Sequence, residues 1–341
     1  MKLIVQIPCF NEEKTLPLVI KSIPKHIDGI DEIETLIIDD GSTDKTIKIA
    51  EKFGVNHIVI HKQNKGLAHA FSNGINEALH QGADIIVNTD ADNQYRQQDI
   101  PRLIEPILKG KADIVIGDRQ TSTIKHFSKI KKGLQRIGSA TVRFFSGSKV
   151  PDAVSGFRAY SREAALHMNI VTDFSYAIET IIQAKYKRLG LASVKVKTNP
   201  PTRKSRLFKN MFQHIHRSTT TILRVYTMYQ PFRVFLAIGS LFFGIGFLLS
   251  IRFVYYTILG SSAGHIQSLI FAAALMVIGF QIMMTGLVAD LIGINRKLSE
   301  NTLRRLKDME LAQIKEERRT DTAIQYLQRL EQNNLQESQV N

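Results

Sequence analysis

Short apolar runs alternate with amphipathic stretches over the first 120 residues. Aliphatic and β-branched residues cluster at 2–8, 33–39, 56–60, 84–88 and 112–116, and helical spacing fills stretches such as 43–53 and 66–80. Short buried strands alternating with helices predict an α/β domain whose sheet is mostly parallel and covered on both faces. The pattern then changes. No Asp, Glu, Lys or Arg lies between Arg233 and Arg252, or between Arg252 and Asp290. About 20 charge-free residues cross a hydrocarbon core of ~30 Å. Two membrane spans are therefore predicted, near 234–258 and 267–291. The turn composition Gly260-Ser261-Ser262-Ala263-Gly264-His265 separates them.

These changes divide the chain into a domain over 1–200, a basic amphipathic segment over 201–231, a membrane hairpin within 232–293, and a polar tail over 294–341. Charge adds orientation. The chain carries 45 Lys and Arg against 31 Asp and Glu, a net +14. Arg203, Lys204, Arg206, Lys209, Arg217, Arg224 and Arg233 precede the first span, and Arg296, Lys297, Arg304, Arg305 and Lys307 follow the second. The positive-inside rule puts both termini in the cytosol and the short hairpin loop outside. Basic residues crowded beside membrane spans fit anionic lipid better than nucleic acid. A second basic amphipathic stretch, 125–144, suits either a membrane surface or an ordinary solvated helix. In the hairpin, Ser240 and Gly244 form a small-residue pair suited to helix contact. The tail is helix-prone and reads as a cytosolic helix, an oligomerisation arm or a partly disordered segment. A single cysteine excludes a disulfide framework.

In parallel α/β sheets, ligands bind beyond the carboxyl ends of the strands. Here the strands are followed by Pro8-Cys9-Phe10-Asn11-Glu12-Glu13, by Asp39-Asp40-Gly41-Ser42-Thr43-Asp44, by Asp90-Ala91-Asp92-Asn93-Gln94, and by Gly117-Asp118-Arg119. Crowded carboxylates repel unless something positive sits among them. A hard divalent cation with a phosphate-bearing ligand resolves that conflict, because Mg²⁺ or Mn²⁺ completes its shell with substrate phosphates and water. The chain has no Gly-x-x-x-x-Gly-Lys-Ser/Thr loop and no Gly-x-Gly-x-x-Gly after the first strand. Ordinary P-loop and dinucleotide chemistry are thereby excluded.

Those turns, together with Asn64-Lys65-Gly66-Leu67-Ala68-His69-Ala70 and Ser155-Gly156-Phe157-Arg158, stand in the order seen in inverting family-2 glycosyltransferases. Over roughly residues 1–230 the chain most resembles the polyprenyl-phosphate type, which includes dolichyl-phosphate mannose synthases and bactoprenol glucosyltransferases. The resemblance implies a GT-A fold, a nucleotide-sugar donor, Mg²⁺ or Mn²⁺, and a polyprenyl phosphate acceptor in a bacterial or archaeal plasma membrane. It implies that Pro8, Phe10, Glu12 and Asp40 line the nucleoside pocket and that Asp90 faces the ribose and sugar. Asp92 and Gln94 would hold the metal with the donor diphosphate. Asp152 is implied as a base, or as the residue that orients the acceptor or Arg158. Arg119, Arg158 and Arg203 match anion-binding positions around the donor and acceptor phosphates: Arg119 is implied at the nucleotide sugar, and Arg158 and Arg203, with Lys204 and Arg206, at the acceptor phosphate. Asp152, Arg158 and Asp90 are the implied catalytic residues. Cys9 departs from the small or aliphatic residues usual there and reads as a packed side chain. A homo-oligomer is a further expectation.

An acceptor phosphate is already a nucleophile near neutral pH, with a second pKa of about 6. Two other functions stay open on the sequence: an inert membrane-anchored nucleotide-sugar binder, and a processive polysaccharide synthase. The synthases carry a Gln-x-x-Arg-Trp motif and more membrane helices, and this chain has no Trp.

Overall fold

The computed structural model describes residues 1–120, 150–172, 176–200, 211–260 and 266–340, with side chains at 211–218, 319 and 321–340 outside the description. The basic stretch 125–144, the residues Arg203, Lys204 and Arg206, and the hairpin loop 261–265 lie outside the described residues.

In chain order the elements are β1 (Lys2–Cys9), α1 (Leu16–Ser22), β2 (Glu32–Asp39), α2 (Thr46–Lys52), β3 (His57–Ile60), α3 (Leu67–His80), β4 (Ile85–Asn88), α4 (Ile100–Leu108) and β5 (Ile114–Asp118). There follow β6 (Arg158–Ser161), α5 (Arg162–His167), α6 (Tyr176–Tyr186), β7 (Leu191–Lys195), α7 (Met211–Tyr229), α8 (Pro231–Ile258) and α9 (Ile266–Val340). The strands form one sheet in the order β3-β2-β1-β4-β6-β5-β7.

The five strands expected from the sequence are present within a residue or two of their expected bounds. All their pairings with one another are parallel. The sheet is completed by β6 and β7. β6 runs antiparallel to both β4 and β5, and β7 pairs parallel with β5. β6 is only four residues long, Arg-Ala-Tyr-Ser. So short a run with one Arg offers no period to read.

The central strand β1 is apolar on both faces because helices cover both. Leu3, Ile4, Val5 and Ile7 are wholly buried. Each such side chain contributes about 1.5–3 kcal/mol on burial. α3 turns Ala68, Phe71, Ile75 and Ala78 inward. Its apolar spacing follows one helical face, as the pattern predicts.

The chain forms two compact units, Met1–Ile222 with Thr302–Asn341, and Leu223–Asn301. The second contains α8 and the start of α9, both long and apolar enough to cross a membrane. The helices meet through glycine. A Cβ on Gly239 would lie 2.7 Å from the Gly279 carbonyl oxygen, and one on Gly246 would lie 2.7 Å from that of Ala272. The close contact thus runs through Gly239 and Gly246. Gly244, expected there from the sequence, has nothing within 4 Å of a Cβ.

From Thr302 onward the tail belongs to the first unit. Arg304 Nη2 donates to both Glu163 oxygens at 2.8 and 3.0 Å, Lys307 Nζ to Asn76 Oδ1 at 3.1 Å, and Arg318 Nη2 to Gln81 Oε1 at 2.9 Å. Leu311 is buried among them. The sequence set this polar stretch apart because its contacts are mostly charged and its apolar residues fall in poor heptad register.

Candidate active site

Register brings the functional loops to one edge. Cys9 pairs with Asp39, and Asp39 with Ile60, so β1, β2 and β3 end together. Asn88, the last residue of β4, pairs with Arg158, the first of β6. Reversal of β6 therefore puts the segment before it at the same edge as the segments after its neighbours.

The first two turns are locked together. Asp40 N–H donates to the Cys9 carbonyl at 2.8 Å, and Asn11 N–H to Ser42 Oγ at 2.8 Å. Asn11 adopts a left-handed backbone, φ 55°, a conformation Asn tolerates. Its Oδ1 accepts Thr43 N–H at 2.8 Å. Glu12 N–H donates to Thr46 Oγ1 at 2.9 Å, and a Glu12 carboxylate oxygen accepts Thr15 Oγ1 at 2.6 Å. Pro8 and Glu12 are buried, whereas Phe10 is 39% exposed and presents a ring at the edge. Cys9 is packed, and burial, with Glu12 next, holds its thiol well above the usual range. A thiol so shifted is inert.

Asp40 is 4% exposed and multiply bonded. Its Oδ1 accepts Lys65 N–H at 2.8 Å and lies 2.7 Å from His61 Nδ1. Its Oδ2 accepts Gly66 N–H at 2.8 Å. Asn73 Nδ2 lies 2.8 Å from His61 Nε2. Asp40 thus fastens the 61–66 segment and the start of α3 beneath the expected nucleoside pocket.

The acidic turn after β4 carries Asp90, Asp92 and Gln94, all half-buried. Gln94 N–H donates to Asp92 Oδ1 at 3.1 Å, and Asn93 is left-handed at φ 59°. A distant segment straps the turn. Asn199 N–H donates to the Gln94 carbonyl at 2.9 Å, its Nδ2 to the Asn93 carbonyl at 3.0 Å, and Tyr95 bridges Thr198. Among the described residues, no three His, Cys, Asp or Glu side chains gather into a metal cage. A donor set of one or two carboxylates and an amide fits a hard cation that takes its remaining ligands from phosphate and water.

On the other side, Arg119 grips Asp152 in a fork: Nε to Oδ2 at 2.7 Å and Nη2 to Oδ1 at 3.0 Å. Asp152 is 2% exposed. Burial acts to lower the Arg119 pKa, but Tyr95 and Asp152 outweigh it, so the pKa is raised. The partner of Asp152 is therefore Arg119 and not Arg158, and the pair carries no net charge.

Arg158 was expected at the phosphates, both as a catalytic group and as an acceptor ligand. The structure corrects that reading. The side chain is wholly buried. Nε donates to the Ser155 carbonyl at 2.7 Å, Nη2 to that of Ala153 at 2.8 Å, and Nη1 to the Ala177 carbonyl and Thr180 Oγ1, both at 2.7 Å. Its donors are spent on the backbone of 153–155 and on α6, so it shapes the loop that carries Asp152.

Gly156 closes the floor. A Cβ there would lie 3.0 Å from both Asp90 Oδ1 and the Tyr176 hydroxyl. Below it, Asn88 Nδ2 donates to the Gly156 carbonyl at 2.8 Å and to the Tyr176 hydroxyl at 3.0 Å, and Gln6 Nε2 donates to Asn88 Oδ1 at 2.8 Å. His61, Tyr95, Tyr176 and Asn199 did not emerge from the sequence. His61 directly follows β3 and was open to the same strand-end logic as the other turns. Asn199 is far along the chain and carries no local signal.

Residues 4–167 match the model of glycosyl transferase family 2. The chain is 32% identical over 217 residues to UDP-N-acetylglucosamine–dolichyl-phosphate N-acetylglucosaminyltransferase of Methanococcus voltae, covering 56% of this chain and 83% of that protein. It is 30% identical over 206 residues to undecaprenyl-phosphate mannosyltransferase of Micrococcus luteus, covering 58% and 82%. Glucosyl-3-phosphoglycerate synthase of Mycobacterium tuberculosis, solved with Mn²⁺, UDP-glucose and phosphoglyceric acid, superposes with a TM-score of 0.51 at 23% identity, covering 66% of this chain and 78% of that one. The fold is thus shared with GT-A glycosyltransferases. The chain belongs to glycosyl transferase family 2, and within it resembles the enzymes that act on polyprenyl phosphates.

Proposed function

We propose that this glycosyltransferase moves one sugar, with inversion, from a nucleotide-sugar donor to a polyprenyl phosphate. One observation carries the reading: an acidic donor-side turn and the Arg119–Asp152 pair meet at one sheet edge, in a chain related to transferases named for dolichyl and undecaprenyl phosphate. Phe10, at the sheet edge above the turn that Asp40 fastens, lines the nucleoside pocket. Asp90 faces the ribose and sugar. Asp92 and Gln94 would hold Mg²⁺ or Mn²⁺, which supplies positive charge to the leaving diphosphate. Arg119 and Asp152 orient the acceptor phosphate. That phosphate is ionised already, so Asp152 need not strip a proton to create the nucleophile. Arg203, Lys204 and Arg206 meet its charge at the membrane surface.

Two apolar helices anchor the enzyme in the bilayer where the prenyl chain dissolves. The catalytic unit and both termini face the cytosol. A soluble acceptor would require no such hairpin. The test is a panel of nucleotide sugars presented with undecaprenyl phosphate, the uncharged polyprenol, and a soluble sugar, scored by radiolabel in the lipid phase. Product limited to the lipid phosphate is expected. Equal transfer to polyprenol, or preferential transfer to the soluble sugar, refutes the assignment.

A further inference from the structure

We propose that Tyr95 is the positioning residue that tethers the donor-side acidic turn to the acceptor-side 152–156 loop, and so sets the separation between Asp90 and the Arg119–Asp152 pair. The proposal rests on the functional reading above and assigns a role to a residue immediately after the metal-binding candidates.

Tyr95 lies in the acidic turn by sequence and beneath the other loop by contact. Its ring is 3% exposed and stacks on Phe157, with centroids 5.2 Å apart and planes 19° from parallel. Its hydroxyl accepts Gly156 N–H at 2.8 Å. Gly156 in turn has no room for a side chain between Asp90 and Tyr176. Gly156 is therefore held at its N–H by Tyr95 and at its carbonyl by Asn88, whose Nδ2 donates to it at 2.8 Å. The Tyr95 backbone bridges Thr198, and its carbonyl accepts Gln97 Nε2 at 3.2 Å. One residue thus joins the acidic turn, the 152–156 loop through its side chain, and the 198–199 strap through its backbone.

The surroundings agree. Burial first, with Asp90 and Asp152 adding to it against Arg119, pushes the phenol up to about 12. Arg119 and both carboxylates are close enough to act on this one phenol, so a shift in its position is felt on both sides of the site.

Glycosyl transfer is sensitive to such placement, because an attacking group has to sit ~3–3.5 Å from its target and a displacement of about 1 Å costs on the order of a hundredfold. Tyr95→Phe retains the stack and removes only the acceptor of the Gly156 amide. The purified full-length chain is compared with this variant in three measurements: hydrogen exchange, equilibrium binding of UDP with Mn²⁺, and transfer to undecaprenyl phosphate from the nucleotide sugar that best supports wild-type turnover. Exchange in peptides covering 152–157 is expected to quicken about fivefold or more, the equivalent of one lost buried hydrogen bond. Nucleotide affinity and donor KM are expected to stay within about twofold. The kcat for each nucleotide-binding site is expected to fall about tenfold or more. Donor hydrolysis without acceptor is expected to stay within about twofold of wild type, since water does not need the acceptor-side pair.

Unchanged exchange over 152–157, or kcat within twofold of wild type, overturns the proposal. So does a variant that loses nucleotide binding together with turnover, or that melts at least ten degrees lower, since the hydroxyl would then be supporting the fold as a whole. If the wild-type chain transfers no sugar to the lipid phosphate, the functional reading fails, while the exchange measurement still judges the tether.

Discussion

Arg158→Met separates a structural arginine from a phosphate ligand. The substitution fills much of the same volume and removes the donors to three carbonyls, those of Ser155, Ala153 and Ala177, and to Thr180 Oγ1. A buried acceptor left without a donor costs ~1–3 kcal/mol. Ala177 O keeps the Thr180 hydroxyl as a donor, and Thr180 Oγ1 keeps that bond. The carbonyls of Ser155 and Ala153 are therefore the two left short, at about 2–6 kcal/mol. Part of this is offset, because the wild-type chain also bears the cost of holding a guanidinium out of water. The partners are neutral, so no unpaired charge is left behind and the net is about 1–4 kcal/mol. For a domain of this size each kcal/mol moves the midpoint by ~2–4 °C, so the expected drop is about 2–16 °C. The chain has no tryptophan, so unfolding is followed by calorimetry and by tyrosine circular dichroism in detergent. Arg158→Lys is expected to fall almost as far, because one ammonium cannot reproduce a planar fork. If Arg158→Met melts at the wild-type temperature and instead raises the KM for polyprenyl phosphate, the side chain is an anion ligand and the structural account is wrong.

Asp92→Asn removes one negative ligand in a nearly isosteric change; Mn²⁺-dependent donor binding is expected to weaken at least tenfold with the melting temperature held, and activity that survives chelator in the wild type would remove the metal assignment. Arg203→Ala is expected to cut transfer to polyprenyl phosphate by about thirty- to several-thousand-fold, from the ~2–5 kcal/mol of a desolvated charged pair, while UDP binding is unchanged; equal loss of nucleotide affinity would place Arg203 on the donor instead. Glu163→Arg sets like charges against Arg304 across a half-exposed pair worth only about 0–1 kcal/mol. The melting point is expected to drop by a few degrees at most, with recovery in the Glu163→Arg, Arg304→Glu double variant; failure of the exchange to recover stability would mean the tail is held by Leu311 and the neutral contacts alone.

Local pattern was enough where one residue's environment depends on its immediate neighbours. The doubly covered strands β1, β2, β4 and β5 advertise themselves as continuous aliphatic runs, and the acidic and Pro-Cys-Phe-Asn turns follow at their ends. The charge-free spans were equally legible. Legibility failed where a contact depends on topology. Arg158 sits in a motif beside Asp152, yet the reversed strand β6 points its guanidinium at α6, which lies further along the chain. Arg119 reaches Asp152 only because β5 and the loop before β6 end at the same edge. Asn199 straps a turn more than a hundred residues earlier, and no spacing in a linear sequence encodes that. The polar tail looked separate because half-exposed ion pairs leave no hydrophobic period.

The reversal of β6 also governs how such an enzyme can diversify. Asp118 ends β5, and Arg158 begins β6, at the same margin of the sheet. Arg119, directly after β5, and Asp152, shortly before β6, are joined across that margin. Chain length can therefore be gained or lost between the two strands without disturbing the register of either, with the Arg119–Asp152 clasp kept as the seam.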